Sequence, residues 1–498
     1  MRKAPDLNDE TLRFRGGIAM AFLPVAIFLV FCILYFVVFK AFDMTALAMG
    51  GFVSLLIGAV FAKGAKNYGR FWEHVMKGIG SPTSVAIIVI LFMVGMISDM
   101  IKATNVSGGF VWLAETVGLS AGFFPFFVFI AVSVVSMATG SSIGTFFTAF
   151  PIFYAAGIAI GADPALIAGA ILSGGILGDN LAPISDTTII SASSQRFRKK
   201  QGVADIGGVV KQRARFALAA AAVSALLFLV LGLATAKPTG AAEHIADGAS
   251  PLPLVMLIPV AIMLVVAMKT RDIFLAVTVG LALGILTGLL TGLISFEHVI
   301  GVTDGTPTGF LFDGVAHMLG TVTLVISVFG IMGVLRGAGV MDMIIDKLTS
   351  GRLASTPRGA EAAIGVGVSV TTVLFGGVNS AAMLSFGSVA DELGSRVGLH
   401  PYRRSNVMDC FALGLASVIP FLSAYLFIGA LLTTGYEGID ALSTFTLFPA
   451  TVYPLALTAV MIVSVATGWG RSFEGAGGSV EKTPQEPAAA TEAANPSA

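Results

Sequence analysis

GDNLAPISDTT, residues 178–188, sets two carboxylates, a proline and several hydroxyls inside a strongly apolar chain. An apolar run, 165–177, precedes this stretch, and a short segment, 189–194, separates it from a basic loop. Carboxylates at membrane depth are costly, so in a spanning segment they indicate a functional site. Pro183 removes a helical N–H and Gly178 tolerates unusual backbone angles, so both are predicted to mark a helix break near mid-bilayer. Irregular backbone at that depth must face protein or water. We therefore expect a cation to bind at this break.

The composition of the whole chain indicates an integral membrane protein. Its 498 residues are 56% hydrophobic and 12% charged, with a mean hydropathy of +0.90, whereas soluble domains carry about 25% charged residues. Fifty-nine glycines and few aromatic residues favour close-packed helices over a lipid-facing β-barrel. A net charge of zero indicates no nucleic-acid partner. The expected partners are the lipid bilayer and small ions or a small-molecule substrate, and a homodimer stays open.

Apolar runs divide the chain into five predicted segments: a cytoplasmic tail (1–15), a first transmembrane repeat (16–236), an external linker (237–251), a second, inverted transmembrane repeat (252–470) and a disordered cytoplasmic tail (471–498). A crossing takes about 20 residues, and runs of that order lie at 18–39, 45–62, 84–101, 214–236, 252–268, 272–294, 321–336 and 444–466. Two blocks, 121–194 and 360–434, do not fit simple spans. Each contains a Gly/Ser/Thr break, an apolar arm and a helix interrupted by proline.

The two blocks match each other at a constant offset of 237 residues, which places Pro183 over Pro420. Four further pairs then align without gaps: Gly140 with Gly377, Gly157 with Gly394, Gly161 with Gly398, and Pro164 with Pro401. Prolines in register, with the same order of breaks and arms, indicate an internal repeat. If Gly140 and Gly377 are tips of re-entrant hairpins, each repeat crosses the membrane five times, and the odd number inverts the second copy.

Loop charges assign the orientation. Lysine and arginine concentrate in the loops expected inside, including Lys211, Arg213 and Arg215, while acidic residues concentrate in those expected outside. Both termini are then cytoplasmic, in a multi-pass protein of the cell (inner) membrane. Full-length arms would give the same sidedness as hairpins. Inverted repeats with paired broken helices are typical of secondary transporters. The predicted fold is an all-α polytopic membrane protein of two inverted repeats, each with a re-entrant hairpin and a broken transmembrane helix.

Asp179 and Asp186 are the strongest candidates for binding Na+ or a proton. An ionised carboxylate coordinates a cation and a neutral one carries a proton, so the two compete for one group. The alternative for Asp186 is a cap on the second half-helix. Asn180, Ser185 and Thr187 are predicted to supply neutral oxygens to the ion, or else to satisfy backbone groups that the proline releases and to bridge helices.

The hairpin tips supply a second set of candidate ligands for a cation or a substrate carboxylate. The first tip contributes Ser141, Ser142 and Thr145, and the second contributes Asn379 and Ser380, for which interhelical hydrogen bonding is the alternative. The first tip also matches the G-x-S-x-G pattern of hydrolases, but a nucleophilic serine needs a nearby base. The five histidines fall in loops or at helix ends in this topology. We therefore expect no enzyme activity and no cofactor beyond the transported or coupling ions.

Asp409 is a further carboxylate in apolar sequence. It is either a proton-coupling group or the partner of Arg403 or Arg404 near the inner interface, and the second interpretation is favoured. Asp99 is expected to pair with Lys102 in a structural role.

The quoted stretch resembles the signature of the NhaC-type sodium/proton antiporter family, G-D-x-x-S-P-[LI]-S-D-T-T. Residues 139–145, TGSSIGT, are similar to the family's G-T-S-x-G-T stretch, and GLHP at 398–401 with Pro420 resembles its G-L-x-P and later proline. The resemblance covers nearly the whole transmembrane region and implies an ion-transporter fold of inverted repeats. It implies exchange of sodium for protons, or of an organic anion or amino acid coupled to such ions.

Two departures from the family pattern bear on the substrate. Ala182 stands where the family commonly has serine, and Phe421-Leu422-Ser423 follows Pro420 in place of a Trp-Asn pair. Fewer ligands in the second half leave room for a substrate other than sodium and protons.

Overall fold

The protein is described by a computed structural model covering residues 11–39, 44–117, 120–235, 250–270, 272–303, 305–340, 343, 355–434, 436 and 440–484. The first helices form one continuous succession before the first block. Their bounds are Ile18–Phe22 (3₁₀), α1 (Leu23–Ile33), Leu34–Val38 (π), α2 (Met44–Val60), α3 (Gly64–Ile79), α4 (Pro82–Ala103) and α5 (Val106–Val117).

The first block contains the predicted break and the first tip. Its helices are α6 (Phe124–Thr139), α7 (Ser142–Ala149), a π turn (Phe150–Tyr154), α8 (Ala155–Ala159), α9 (Pro164–Leu181) and α10 (Asp186–Ser193), and α11 (Ile206–Thr235) comes after the block. The interruption of α7–α8 coincides with Pro151, which cannot donate to the helical ladder. The first block, residues 121–194, therefore consists of two arms and a broken helix, and the long helix α11 follows it.

The remaining helices belong to the second half of the chain. Its helices are Leu252–Met256 (3₁₀), α12 (Leu257–Thr270), α13 (Ile273–Thr291), α14 (Phe296–Val299), α15 (Phe310–Gly337), α16 (Pro357–Leu374), α17 (Asn379–Arg396), α18 (Pro401–Ala412), Leu415–Val418 (3₁₀), α19 (Ala424–Leu432), α20 (Thr444–Ala450) and α21 (Val452–Thr467). Two short antiparallel ladders depart from the all-α expectation, and they join β1 (Gly301–Thr303) to β2 (Thr306–Thr308) and β3 (Phe473–Glu474) to β4 (Val480–Glu481).

Helix starts and turns recur at the 237-residue offset found in the sequence. The recurring positions are the first residues of α7 and α17 (Ser142 and Asn379), the first residues of α9 and α18 (Pro164 and Pro401), and the left-handed glycines before them (Gly140 at φ 69° and Gly377 at 81°, Gly161 at 83° and Gly398 at 71°). Glycine reaches positive φ without the steric cost that other residues meet. The glycines that aligned in sequence therefore make the same turns in both blocks.

Six segments within the described residues are long and apolar enough to cross a membrane: α4, α7–α8, α9–α10, α11, α13 and α15. The pair α20 and α21, which meet at 53°, would add a seventh if they form one span. Burial ranks them differently: the apolar stretch of α9–α10 is 94% buried, against 33% for α11 and 28% for α13. The broken helix thus lies at the centre of the protein, and the two less buried helices present their apolar sides outward.

Glycines let neighbouring helices approach α9 closely. A Cβ on Gly178 would lie 2.4 Å from the carbonyl oxygen of Ser133 in α6, and one on Gly169 would lie 2.1 Å from that of Ala450 in α20. Small residues permit such contacts between membrane helices. Gly178 is thus a packing residue inside α9, which continues to Leu181. The prediction that Gly178 belongs to the break is wrong.

The segment after α21 is folded at least to residue 484, in contrast to the disorder predicted from Arg471. Phe473 pairs with Leu399 ahead of α18, and the Glu474 carboxylate accepts backbone N–H groups of Arg198 (2.8 Å) and Lys199 (2.7 Å). We call residues 471–484 the C-terminal strap. Its glycine-rich composition predicted disorder. The prediction failed because the partners that hold the strap lie far away in the sequence and leave no local signal. Residues 485–498, most of the linker 237–251 and residues 1–10 of the N-terminal tail lie outside the described ranges.

Candidate functional site

The break in the central helix lies where the sequence predicted it. α9 ends at Leu181, Pro183 lies in the turn that follows, and α10 begins at Asp186 with Ser185 as its N-cap. The Ser185 hydroxyl accepts the backbone N–H of Thr187 at 3.2 Å, as an N-cap serine does. Two carboxylates therefore flank the break, with Asp179 in the last turn of α9 and Asp186 at the first position of α10.

Asp179 is buried at this break, with 3% of its surface exposed. Its Oδ2 accepts the hydroxyl of Ser142 at 2.6 Å, and its Oδ1 accepts the hydroxyl of Ser185 at 2.5 Å. Ser142 is the first residue of α7, next to the turn at Gly140. The structure thus brings together three predicted site residues from the tip and from both sides of the break.

No lysine, arginine or histidine nitrogen pairs with Asp179 among the residues that the structure describes, where every ion pair lies elsewhere. An ionised carboxylate buried without a counter-charge is strongly unfavourable. The described ranges contain no cluster of three or more His, Cys, Asp or Glu side chains placed to hold a metal ion. The donors around Asp179 are instead one carboxylate and two hydroxyls, and such oxygen donors suit a hard cation better than a transition metal.

Asp186 is exposed, unlike Asp179. Its Oδ2 accepts the hydroxyl of Ser380 at 2.5 Å, and its Oδ1 accepts the backbone N–H of Thr187 at 2.8 Å. Ser380 is the second residue of α17, beside the turn at Gly377. The second predicted tip therefore reaches the same break as the first, and Asp186 also accepts an N–H group at the start of α10.

Three predicted ligands use their hydroxyls locally. Ser141 is the N-cap of α7 and accepts the N–H of Gly144 at 3.1 Å, while Thr145 donates to the Ser141 carbonyl at 2.7 Å. Thr187 lies 2.8 Å from the hydroxyl of Ser185. Ser141 and Thr145 thus shape the tip, and Thr187 contacts a partner of Asp179 instead of Asp179 itself.

Asn379, the second tip's other predicted ligand, bridges helices. With its amide oriented by the hydrogen-bond network, it donates to the carbonyls of Gly377 (3.1 Å) and Ala412 (2.8 Å) and accepts the hydroxyl of Tyr425 (3.0 Å). These contacts span α17, the end of α18 and α19. They match the interhelical alternative, and they hold the second break, which contains Pro420 between α18 and α19.

Asn180 belongs to a separate polar cluster. Its Nδ2 donates to Asp409 at 2.9 Å and its Oδ1 accepts the hydroxyl of Tyr453 at 2.9 Å. Asp409 is fully buried and forms an ion pair with the equally buried Arg213 at 2.8 Å. Asn180 therefore bridges helices, and its side chain contacts Asp409 and Tyr453 in place of the oxygens around Asp179.

The predicted partners of Asp409 are wrong, since Arg403 pairs with Glu361 at 2.8 Å and Arg404 with Asp391 at 3.3 Å. Sequence reasoning also counted Arg213 as a loop charge, whereas it lies within α11. The spacing of the apolar residues could have indicated that Arg213 is buried, because the buried face of α11 includes Val209, Arg213, Phe216, Ala217 and Ala220.

Asp99 and Lys102 form the predicted ion pair, at 3.0 Å near the C-terminal end of α4. Asp99 also lies 2.7 Å from Nδ1 of His317 in α15. His317 and His74 are inside helices instead of in loops or at helix ends, which corrects the predicted placement of the histidines. Asp99 therefore links α4 and α15 away from the break.

Comparison with known proteins shows which family the first half of the chain resembles. Residues 14–233 match the family model described as "Na+/H+ antiporter family", and this range includes the first tip, the break and most of α11. Over this range the chain is similar to the Na+/H+ antiporter family, and two Na(+)/H(+) antiporters named NhaC are among its relatives. This similarity and the apolar helices together support a multi-pass membrane protein.

Three proteins of similar sequence are named as antiporters. It is 26% identical over 328 residues to the malate-2H(+)/Na(+)-lactate antiporter of Bacillus subtilis (61% of this chain, 67% of the relative). It is 26% identical over 340 residues to the Na(+)/H(+) antiporter NhaC of Alkalihalophilus pseudofirmus (64% and 71%). It is 25% identical over 370 residues to the arginine/ornithine antiporter ArcD of Halobacterium salinarum (69% and 71%). The class of activity is secondary antiport.

Proposed function

We propose that this antiporter exchanges Na+ for H+ at the break between α9 and α10. The observation that carries the proposal is Asp179, a buried carboxylate with two hydroxyl partners and no basic partner among the described residues. Burial favours a state in which a cation neutralises this group. Either a proton or Na+ meets that requirement, but one carboxylate cannot hold both. Binding of one ion then releases the other, which is the coupling that exchange requires.

The proposed Na+ ligands are oxygens of Asp179, Ser142 and Ser185. In the sodium-free state the two hydroxyls donate to the carboxylate, and rotation about the C–O bond turns their lone pairs toward an arriving ion. Asp186 and Ser380, at the exposed side of the same break, form the proposed entry to this site. No cofactor takes part, and Na+ and H+ are the transported ions.

The proposed transport mechanism is alternating access between two inverted repeats, with α6–α7 and α16–α17 as re-entrant hairpins. The recurring turns at Gly140 and Gly377 support this arrangement. The first arm, α6, has 16 residues, fewer than the 20 or so of a full crossing, whereas the second arm, α7–α8, is long enough to span. The contacts of Ser142 with Asp179 and of Ser380 with Asp186 further support hairpins whose ends meet at this site. Loop charges further support an inner-membrane location with both termini cytoplasmic.

A second candidate is transport of an organic anion or amino acid coupled to Na+ or H+. The second break, residues 419–423, contains no carboxylate, so it offers different chemistry from the first. Two relatives carry names that include malate with lactate and arginine with ornithine. The carboxylate-free second break is where a substrate larger than an ion would bind under this second candidate.

Proteoliposomes containing a pH-sensitive dye test the proposal, with Na+, Li+, malate and single amino acids added separately. We expect Na+ alone to drive proton movement, and Asp179→Asn to abolish it while the protein stays folded. Asp163→Asn is the matched control, since Asp163 caps the opposite end of α9 and asparagine is an equally good cap. A response that needs Na+ together with an organic solute would replace Na+/H+ exchange with the second candidate. Full exchange by Asp179→Asn would refute the site.

A further inference from the structure

Arg213 is a completely buried arginine of α11, and it contacts the residue that follows Asp179 of the proposed cation site. Its guanidinium uses all three nitrogens: Nε donates to Asn406 (3.0 Å), Nη1 to the Asn180 carbonyl (2.9 Å) and the Thr188 hydroxyl (2.8 Å), and Nη2 to Asp409 (2.8 Å) and the Ser191 hydroxyl (3.3 Å). A planar guanidinium can satisfy so many acceptors at fixed angles, whereas a lysine ammonium cannot. The contacts therefore constrain several elements at once.

These contacts join the two halves of the broken helix. Asn180 lies in the last turn of α9, where carbonyls lack helical partners, and Arg213 supplies a donor to its carbonyl. Thr188 and Ser191 lie in α10. Asn180 directly follows Asp179 in the chain, and Thr188 comes three residues after Ser185. One side chain thus holds the backbone next to the buried carboxylate and the half-helix capped by its hydroxyl partner.

The charge of Arg213 is balanced inside the same cluster. The Asp409 carboxylate forms the ion pair with Arg213 and also accepts hydrogen bonds from the Ser191 hydroxyl (2.9 Å) and the Asn180 amide (2.9 Å). The pair is neutral and well hydrogen-bonded, which is the arrangement that makes a buried ion pair tolerable. Because Arg213 is neutralised by Asp409, it does not serve as a counter-charge for Asp179.

We propose that Arg213, held by Asp409, is a positioning residue that sets the distance between Asp179 and Ser185 and so the Na+ affinity of the break. The inference rests on the proposed Na+ site. Groups that orient the ligands of a metal ion typically change its affinity by about 10- to 100-fold when they are removed. Arg213 is placed to act in this way because it contacts both half-helices and its hydrogen bonds include none of the three proposed ligands.

The test separates positioning from a purely structural role. Arg213→Met leaves Asp409 buried without its partner, so reduced amounts of folded protein are expected. The double variant Arg213→Met with Asp409→Asn removes both charges, and recovery of folded protein is expected. Its half-saturating Na+ concentration in proteoliposomes should nevertheless rise about tenfold or more. Arg213→Lys keeps the charge without the planar fork and should give an intermediate increase.

A second buried ion pair provides the control. Arg403 and Glu361, 1% and 0% exposed, join α18 to α16, and Arg403 also donates to Ser464 of α21. Neither residue contacts α9 or α10 in the described hydrogen bonds. Arg403→Met with Glu361→Gln removes this buried pair together with the ion pair between Glu361 and Arg471 at 2.7 Å. Folded protein should therefore fall while the half-saturating Na+ concentration stays that of the wild type.

The outcomes distinguish this inference from the proposed function. Wild-type protein without Na+-driven proton movement would overturn the proposed function and this inference with it. Wild-type exchange together with a folded Arg213→Met, Asp409→Asn variant of unchanged Na+ dependence would overturn the inference alone. An equal increase in half-saturating Na+ for the Arg403, Glu361 control would also overturn it, because the effect would then follow from the loss of any buried pair.

Discussion

Ser142→Ala tests the contact between the first tip and the broken helix most directly. The Ser142 hydroxyl is 2% exposed and lies 2.6 Å from Oδ2 of Asp179, and a hydrogen bond to a charged group contributes about 1.5–3 kcal/mol. Loss of that group as a ligand or as an orienting partner should raise the half-saturating Na+ concentration about 10- to 100-fold. This range corresponds to about 1.4–2.8 kcal/mol of binding free energy. The thermal midpoint should also fall, because the same buried hydrogen bond stabilises the folded protein.

The neighbouring serine is a matched control for this variant. Ser141 caps α7 through Gly144 and makes no described contact with Asp179. Ser141→Ala should therefore cost about 1 kcal/mol of stability while the Na+ dependence stays that of the wild type. Both variants are measured by dye dequenching in proteoliposomes over a Na+ series and by thermal unfolding in detergent.

The two serines must separate for the reasoning to hold. Wild-type Na+ dependence in Ser142→Ala would mean that its hydroxyl only packs against Asp179. A comparable increase in half-saturating Na+ for Ser141→Ala would mean that any disturbance of the tip lowers affinity, which would refute a specific role for the Ser142 contact.

Two further variants test the turns and the C-terminal strap. Gly140→Ala places a Cβ at φ 69° and 2.8 Å from Ile184, so the backbone conformation alone should lower stability by about 1–2 kcal/mol. The loss should exceed that of Gly64→Ala, whose Cβ meets nothing within 4 Å. Equal thermal midpoints for the two variants would contradict the crowding at the break. Glu474→Gln weakens the carboxylate contacts with the backbone of the basic loop at 198–200, so trypsin should cleave that loop faster, and unchanged cleavage in a proteolysis time course would show that the strap does not hold it.

Local chemistry explains what could be predicted about the break. Pro183 cannot continue a helix, Ser185 is a strong N-cap, and glycines at 140 and 377 reach backbone angles closed to other residues. Each of these effects acts over a few neighbouring positions. The break, its two flanking carboxylates and the turns at both tips were therefore accessible from sequence.

Long-range pairing explains what could not be predicted. Arg213 and Asp409 are almost two hundred residues apart, and neither residue's neighbours indicate that the other neutralises it. Counting loop charges reports the side of the membrane, but it does not report burial. Glu474 was likewise assigned to a disordered tail because its partners lie in a loop some 276 positions earlier. Gly178 is a packing residue because α6 approaches it closely, and no residue near it in the sequence indicates that contact.

The burial of the broken helix determines how anything can reach it. Because 94% of the apolar stretch of α9–α10 is enclosed by protein, a compound dissolved in the lipid phase has no direct lateral contact with the buried carboxylate. An inhibitor of this site would have to enter along the membrane normal, from water, past the exposed side of the break. Small hydrophilic cations are thus better starting points for blockers than lipophilic molecules that accumulate in the bilayer.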